Sequence, residues 1–196
     1  MVDAKLVQKL REKTGVGMMV CKEALREAAG DMEKAVEILR KKGAAKAVKH
    51  STRTAKEGAV DSYIHLGGKI GVLLELSCET DFAAKSKDFK ELSKDLCMHI
   101  AASNPLYIKR EDVSPEVAAK EKEIFKAQVQ NKPAAAMDKI VEGKMEKFYQ
   151  DTCFLEQPFV KNPEINVKEY IVSYVAKIGE NIVVRRFARY QVGEEI

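Results

Sequence analysis

The sequence lacks the motifs by which many enzymes are recognised. It has no Gly-x-x-x-x-Gly-Lys-Ser/Thr phosphate loop, no His-Glu-x-x-His zinc motif and no Gly-x-Ser-x-Gly nucleophile motif. Its three histidines, His50, His65 and His99, are scattered along the chain. We therefore expect no catalytic centre, no metal and no cofactor, and we interpret the chain as a protein that acts by binding rather than as an enzyme.

Long apolar runs and paired cysteines are also missing. No apolar run approaches the roughly 20 residues that a membrane-spanning helix requires. Asp3 and Lys5 interrupt any apolar stretch at the start, so no signal-peptide pattern is present. The four cysteines form no Cys-x-x-Cys pair. These features predict a cytoplasmic protein with reduced thiols and no membrane contact.

Aromatic residues are absent before Tyr63, where the chain is most basic. Residues 1–56 hold 14 Lys and Arg against 7 Asp and Glu, in a chain of net charge +4. A basic segment could bind nucleic acid or an acidic protein surface. Because aromatic side chains that could stack on bases are missing, the pattern favours a protein partner over direct nucleic-acid binding. An RNA-binding accessory protein, with steeply salt-dependent binding, stays an alternative.

What is present begins with the pattern of three short helices in residues 1–43. Each apolar pattern stops at a glycine, and the third is expected to end at Gly43. The second has Met18 on its apolar stripe, together with small residues and leucine. We predict a compact three-helix bundle, then a basic linker over residues 44–57 that lets the bundle move independently and leaves His50 in solvent.

Residues 58–196 alternate strand and helix patterns and predict one α+β core. Strands at 59–66 and 69–78 flank Gly67-Gly68, which predicts a β-hairpin. The further predicted elements are a helix at 87–102, a helical hairpin at about 113–154 that turns at Lys132-Pro133, a helix at 167–177 and a strand at 181–190. The fold class is therefore α+β, with a three-stranded antiparallel sheet packed with helices and a protruding helical hairpin.

The segment Cys-Glu-Thr-Asp-Phe-Ala at 78–83 lies where a predicted strand ends and a helix begins. Thr80 or Asp81 could cap the helix while Phe82 packs into the core as a staple. A bend of this kind could instead present Phe82 to a partner. The residues alone leave both interpretations open.

Several separated segments resemble the elongation factor Ts family, in the family's order. They are Thr-Gly-Val-Gly-Met-Met-Val-Cys-Lys-Glu-Ala-Leu at 14–25, Thr-Asp-Phe at 80–82, Met-His-Ile-Ala-Ala at 98–102, Val-Glu-Gly-Lys-Met at 141–145, Leu-Glu-Gln-Pro-Phe-Val at 155–160 and Lys-Ile-Gly-Glu-Asn at 177–181. The resemblance implies a ubiquitin-associated-like N-terminal bundle and guanine-nucleotide exchange on elongation factor Tu in translation elongation. A ubiquitin-associated-like binding module with an unrelated core is the alternative.

The same resemblance implies which residues form the site. Thr80, Asp81, Phe82 and Ala83 would dislodge magnesium from elongation factor Tu, so that GDP leaves and GTP can bind. Other implied partner contacts are Lys22, His99, Ile178, Gly179, Glu180 and Asn181. Short relatives with one core resemble homodimers joined through the core sheet, so we expect a homodimer.

Three positions depart from the family pattern. Val20 stands where an acid is usual, which affects local charge contacts. Ala83 replaces a usual valine, so the apolar contact beside Phe82 is expected to be smaller. Ala188 stands where some short relatives have a cysteine, so no disulfide can join two copies there.

Overall fold

The computed structural model describes residues 3–129 and 133–195. These residues form eight α-helices and two β-sheets, so the predicted α+β class is confirmed. The helices are α1 (Ala4–Thr14), α2 (Met18–Glu27), α3 (Met32–His50), α4 (Asp81–Lys85), α5 (Lys87–Ser103), α6 (Pro115–Gln128), α7 (Ala134–Thr152) and α8 (Val167–Ile178). The strands are β1 (Glu57–Ile64), β2 (Ile70–Cys78), β3 (Pro158–Phe159), β4 (Asn162–Asn166) and β5 (Val183–Gln191).

The larger sheet has three antiparallel strands in the order β1-β2-β5, so β2 is central. Gly67 and Gly68 join β1 to β2 with φ angles of 87° and 69°. Such angles cost little without a Cβ, which is why this pair predicted the hairpin correctly. Along β2, Val72 and Leu74 are buried and Leu73 between them is exposed, as the pleat of a strand requires.

Two compact units divide the chain. The first comprises residues 1–61, 75–94 and 169–185, and the second comprises residues 62–74, 95–168 and 186–196. The first unit contains α1 to α4 and most of α8. The second contains α6, α7 and the small antiparallel sheet of β3 and β4, which the sequence analysis did not predict.

The three N-terminal helices form a bundle in the first unit. Asp3 caps α1 by accepting a hydrogen bond from the Lys5 N–H at 3.0 Å, and Gly15 ends it with a φ of 66°. The buried core residues are Val7, Leu10, Cys21, Ala24, Leu25, Ala28, Ala35 and Leu39. Met18, which we predicted on the buried stripe, is about half exposed because it is the first residue of α2.

Helix α3 continues beyond the predicted end at Gly43, so that expectation was wrong. The residues after Gly43 are mostly alanine and lysine, which favour helix strongly enough to carry it to His50. A Cβ at position 43 would lie 3.4 Å from the Ala176 Cβ, which is an ordinary van der Waals contact, so α8 packs beside α3 at this position. Residues 44–50 of the predicted linker are therefore helical, and residues 51–56 connect α3 to β1.

Side chains also join α3 and the α1–α2 loop to α8. Arg40 and Glu169 form an ion pair at 3.3 Å. Lys177 packs its stem against Gly15 and forms an ion pair with Asp88 at 2.6 Å. Burial disfavours the charge on Lys177, but its hydrogen bond to Asp88 and the charge of that carboxylate raise its pKa above the ordinary value. The bundle is thus part of the first unit, and its independent movement stays a prediction.

In the second unit, α6 and α7 correspond to the predicted helical hairpin. Lys132, at the predicted turn, lies outside the described residues. Near the base of the hairpin, the Arg110 guanidinium donates hydrogen bonds to Glu156 and Glu146 and lies 4.7 Å from the Tyr149 ring centre. The two carboxylates raise the pKa of Arg110, so this anchor stays charged.

Candidate functional site

The candidate site in the first unit is the bend between β2 and α4. Thr80 is the N-cap of α4: its backbone is extended, and its hydroxyl accepts a hydrogen bond from the Ala83 N–H at 3.2 Å. The Thr80 carbonyl accepts another from the Ala84 N–H at 3.2 Å. The helix has only five residues, and Ser86 is its C-cap. The cap therefore fixes the direction in which this single turn projects its side chains.

Phe82 projects outwards from this turn, and its neighbour Ala83 projects inwards. Phe82 is 83% exposed, whereas Ala83 is 3% exposed. The interpretation of Phe82 as a staple in the core was therefore wrong, although Thr80 does cap the helix as that interpretation also required. The small Ala83 thus occupies the inner position of the turn, and the aromatic ring of Phe82 lies largely in solvent.

Asp81 is the charged member of the bend. Its carboxylate accepts a hydrogen bond from Lys85, one helical turn further on, at 2.8 Å. That hydrogen bond and the positive charge of Lys85 lower the pKa of Asp81, so the carboxylate is ionised at neutral pH. The bend thus presents an apolar ring next to a negative charge.

The predicted turn at residues 178–181 lies directly against this bend. Gly179 ends α8 with a φ of 88°, and its N–H donates to the Val175 carbonyl at 2.9 Å. The Glu180 carboxylate accepts hydrogen bonds from the backbone N–H groups of Glu79 and Thr80. Asn181 is buried, and its side chain donates to the Arg53 carbonyl at 2.8 Å. Ile178 is half-buried at the end of α8.

Lys22 lies on the exposed side of α2 in the same unit. The first turn of this helix also exposes three apolar side chains: Met18, Met19 and Val20. Exposed methionines are common on protein-binding surfaces because the side chain is flexible and polarizable. This turn of α2 is therefore a second candidate binding surface. In the sequence, the pair of methionines that follows the glycine-rich loop could have indicated it.

His99 belongs to the second unit, and its side chain is fully buried. Its Nδ1 accepts a hydrogen bond from the Val160 N–H at 3.2 Å, and its Nε2 lies 2.9 Å from the Gln157 Oε1. The Nδ1 contact requires the proton to be on Nε2, which donates to Gln157. Burial lowers the pKa of His99 and keeps the ring neutral. The ring positions the β3–β4 turn, and partner binding by His99 stays a prediction.

Sequence reasoning missed two residues behind the bend, His50 and Arg53, which both face Glu79. His50 was expected in solvent but is buried, with Nδ1 3.5 Å from a Glu79 carboxylate oxygen. Arg53 lies 3.6 Å from the same carboxylate. No local pattern could have revealed these contacts, because their partners are far apart in the sequence.

No group of His, Cys, Asp or Glu side chains with the geometry of a metal site occurs in residues 3–129 and 133–195. All four cysteines lie within the described residues, and each is buried and outside any disulfide. Across the same residues, no helix is both long enough and apolar enough to cross a membrane.

Comparison with known proteins identifies the class of protein. A family model described as "Elongation factor TS" matches residues 22–194. The elongation factor Ts of Carboxydothermus hydrogenoformans is 56% identical over 99% of this chain and 90% of that relative. The elongation factor Ts of Thermodesulfovibrio yellowstonii is 57% identical over 98% and 97%, respectively. The elongation factor Ts of Caldanaerobacter subterraneus subsp. tengcongensis is 56% identical over 100% of this chain and 99% of that relative.

These matches cover nearly the whole length of both partners in each comparison, so they define a translation elongation factor. The chain belongs to the elongation factor Ts family. The resemblance noted from the separated sequence segments is thereby confirmed.

Proposed function

We propose that this protein is the guanine-nucleotide exchange factor of elongation factor Tu, from which it releases GDP so that GTP can bind. The observation that carries the proposal is the exposed ring of Phe82 on a capped bend, in a member of the elongation factor Ts family. A large apolar ring held in water costs free energy, so its presentation on a fixed turn favours a role in binding. Because translation elongation requires ribosomes, we place this activity in the cytoplasm.

Exchange of this kind needs no catalytic group in the factor, because binding equilibria are linked. A factor that binds the nucleotide-free GTPase more tightly than the GDP-bound form must weaken the affinity for GDP by the same ratio. The proposal therefore requires a binding surface with the correct shape. The sequence, which has none of the enzyme motifs considered above, agrees with that requirement.

In this proposal, Phe82 enters an apolar pocket of the GTP-binding domain of elongation factor Tu. Asp81 and Phe82 together displace the elements that hold the magnesium ion of the partner. Loss of that ion removes the main positive charge that holds the GDP phosphates. The ionised and exposed Asp81 suits this role, provided that its carboxylate leaves Lys85 for the partner.

A single aromatic side chain cannot supply the whole effect. Burial of a phenylalanine contributes about 1.5–3 kcal/mol, whereas a nanomolar nucleotide complex corresponds to about 12 kcal/mol. The rest of the difference in affinity between the nucleotide-free and the GDP-bound partner must come from a wider interface. We propose that Lys22 and the turn at residues 178–181 contribute to it, and that His99 contributes through the β3–β4 turn that it holds.

We also propose that the protein is a homodimer joined through its larger sheet. In the second unit, one region of this sheet exposes several large apolar side chains around a shallow hollow: Ile64, Leu73, Tyr190 and Val192. A contiguous apolar patch of this kind is typical of an interface. Ala188 provides no thiol, so the association would be non-covalent.

The test is stopped-flow release of fluorescent GDP from bacterial elongation factor Tu. We expect the protein to accelerate GDP release. Phe82→Ala should reduce the accelerated rate more than about tenfold, since the burial energy of the ring corresponds to about one to two decades of affinity. Leu106→Ala removes another exposed apolar side chain and is the matched control. No acceleration by the native chain would refute the exchange function. Normal exchange by a folded Phe82→Ala variant would remove Phe82 from the mechanism.

A further inference from the structure

The carboxylate of Glu180 is bound to the backbone that precedes Phe82. One oxygen accepts hydrogen bonds from the Glu79 N–H at 3.1 Å and the Thr80 N–H at 3.0 Å. The other accepts one from the Thr80 hydroxyl at 2.7 Å. Hydrogen bonds to a charged acceptor are stronger than those between neutral groups. A residue that is 100 positions away in the sequence therefore fixes two successive peptide groups of the bend.

A second carboxylate makes the reverse connection. Glu79 accepts a hydrogen bond from the Asn181 N–H at 2.6 Å, so the two segments exchange backbone donors. On its other side, Glu79 faces His50 at 3.5 Å and Arg53 at 3.6 Å. The hydrogen bond from Asn181, together with Arg53 and His50, lowers the pKa of Glu79 and keeps it ionised. The bend is thus held between the end of α3 and the end of α8.

The Thr80 hydroxyl links this clamp to Phe82. The hydroxyl donates to Glu180 and accepts from the Ala83 N–H, so its single proton is directed away from the helix that it caps. A helix of five residues has little stability of its own, because nucleation is unfavourable. Phe82, which is almost fully exposed, has no packing that could hold the turn in place. The orientation of the ring therefore depends on the clamp together with the buried Ala83 of the same turn.

We propose that Glu180 is a positioning residue for nucleotide exchange, which acts through Thr80 and holds Phe82 in its presented orientation before the partner binds. This inference rests on the proposed function. It differs from the expectation that Glu180 contacts the partner directly, because its carboxylate oxygens are engaged within the chain. Preorganisation of this kind removes an ordering cost that would otherwise be added to the barrier for exchange.

The first test compares Glu180→Ala and Glu180→Gln, with Glu91→Ala as the control at an exposed glutamate of the same unit. We expect Glu180→Ala to lower the maximal rate of GDP release about fivefold or more, with a smaller change in the half-saturating concentration, because the rest of the interface is retained. Glu180→Gln should recover most of the rate, since its amide oxygen can accept both N–H groups. Equal losses in the two variants would indicate a charge contact with the partner and would overturn the proposal.

The second test is a double-mutant cycle with Phe82→Ala. If Glu180 acts through the ring, Glu180→Ala should cause little further loss of exchange in a Phe82→Ala background. Additive losses would overturn the positioning role while leaving the exchange function intact. A failure of Phe82→Ala alone to reduce exchange would instead count against the proposed function.

Hydrogen exchange of the free protein gives a readout that is independent of activity. Glu180→Ala should accelerate amide exchange at Glu79, Thr80 and Ala83, because the clamp or the cap that protects each of these N–H groups is lost or weakened. Amides in the N-terminal bundle should remain protected, which shows that the variant is folded. Unchanged protection of the bend in Glu180→Ala would overturn the proposal.

Discussion

The Thr80 hydroxyl accepts a hydrogen bond from the backbone N–H of Ala83 at 3.2 Å, and this contact closes the helical turn that carries Phe82. The same hydroxyl donates to Glu180 at 2.7 Å. One small side chain thus both caps the turn and attaches it to a distant segment.

Thr80→Ala should therefore reduce both stability and exchange. Loss of an N-cap costs about 0.5–2 kcal/mol, and the loss of orientation should lower the GDP release rate. Thr80→Ser retains the hydroxyl and should stay close to the native protein in both respects. Urea unfolding and stopped-flow nucleotide release measure the two effects. A Thr80→Ala variant with native exchange would show that the cap is not needed to present Phe82.

Gly58→Ala should destabilise the first unit. Gly58 has a φ of 149°, and a Cβ there would lie 2.2 Å from the Leu76 carbonyl oxygen of the neighbouring strand. The strand must shift to relieve that clash, which we expect to lower the free energy of unfolding by about 1–3 kcal/mol. Denaturant unfolding measures the loss.

Gly143→Ala is the matched control for that substitution. Gly143 lies within α7, is exposed, and has no heavy atom within 4 Å of an added Cβ apart from its own helix backbone and chain neighbours. The same chemical change should therefore stabilise the protein by about 0.5–1 kcal/mol, because alanine favours helix over glycine. Equal effects at the two positions would contradict the role assigned to the close strand approach at Gly58.

Leu73→Glu should weaken self-association without unfolding the chain. Leu73 is exposed on the sheet in the second unit, beside Tyr190 and Val192, and a carboxylate there would have to be buried in the proposed dimer. Light scattering across a dilution series measures the mass. Leu106→Glu introduces the same charge at another exposed leucine and should leave the mass unchanged. Unaltered association of Leu73→Glu would exclude this region as the dimer interface.

His99 should make the protein less stable in acid. Burial lowers its pKa in the folded state below the unfolded value of about 6.5. Below about pH 6.5, the His99 side chain takes up a proton in the unfolded chain but resists it in the folded chain. The free energy of unfolding therefore decreases as the pH falls from about 6.5 to the lowered pKa, and this group does not affect it at higher pH. Melting temperatures at about pH 7.5 and pH 5.5 measure the effect. His99→Gln should show a smaller difference in melting temperature between these two pH values than the native protein. Equal differences in the two proteins would contradict the contribution assigned to His99.

The elements that local signals control were predicted closely. The Gly67-Gly68 turn acts within a few residues, so the sequence contains the full cause of the hairpin. Gly43 misled the prediction because a glycine can either end a helix or lie within one, and here the alanines and lysines that follow it carry α3 to His50. Strands β3 and β4 were missed because they are short and contain Pro158 and Pro163, which usually indicate the absence of a strand.

The sequence by itself determined the family, the α+β class, and the position of Phe82 in a bend after a buried strand. It could not determine which way the ring faces, because that depends on contacts made by residues that are distant in the chain. The tertiary structure decided this point: Ala83 occupies the inner position, and Glu180 holds the backbone from 100 residues away. Hydrogen bonds of such long sequence separation form only when the chain is folded, so no local pattern specifies them.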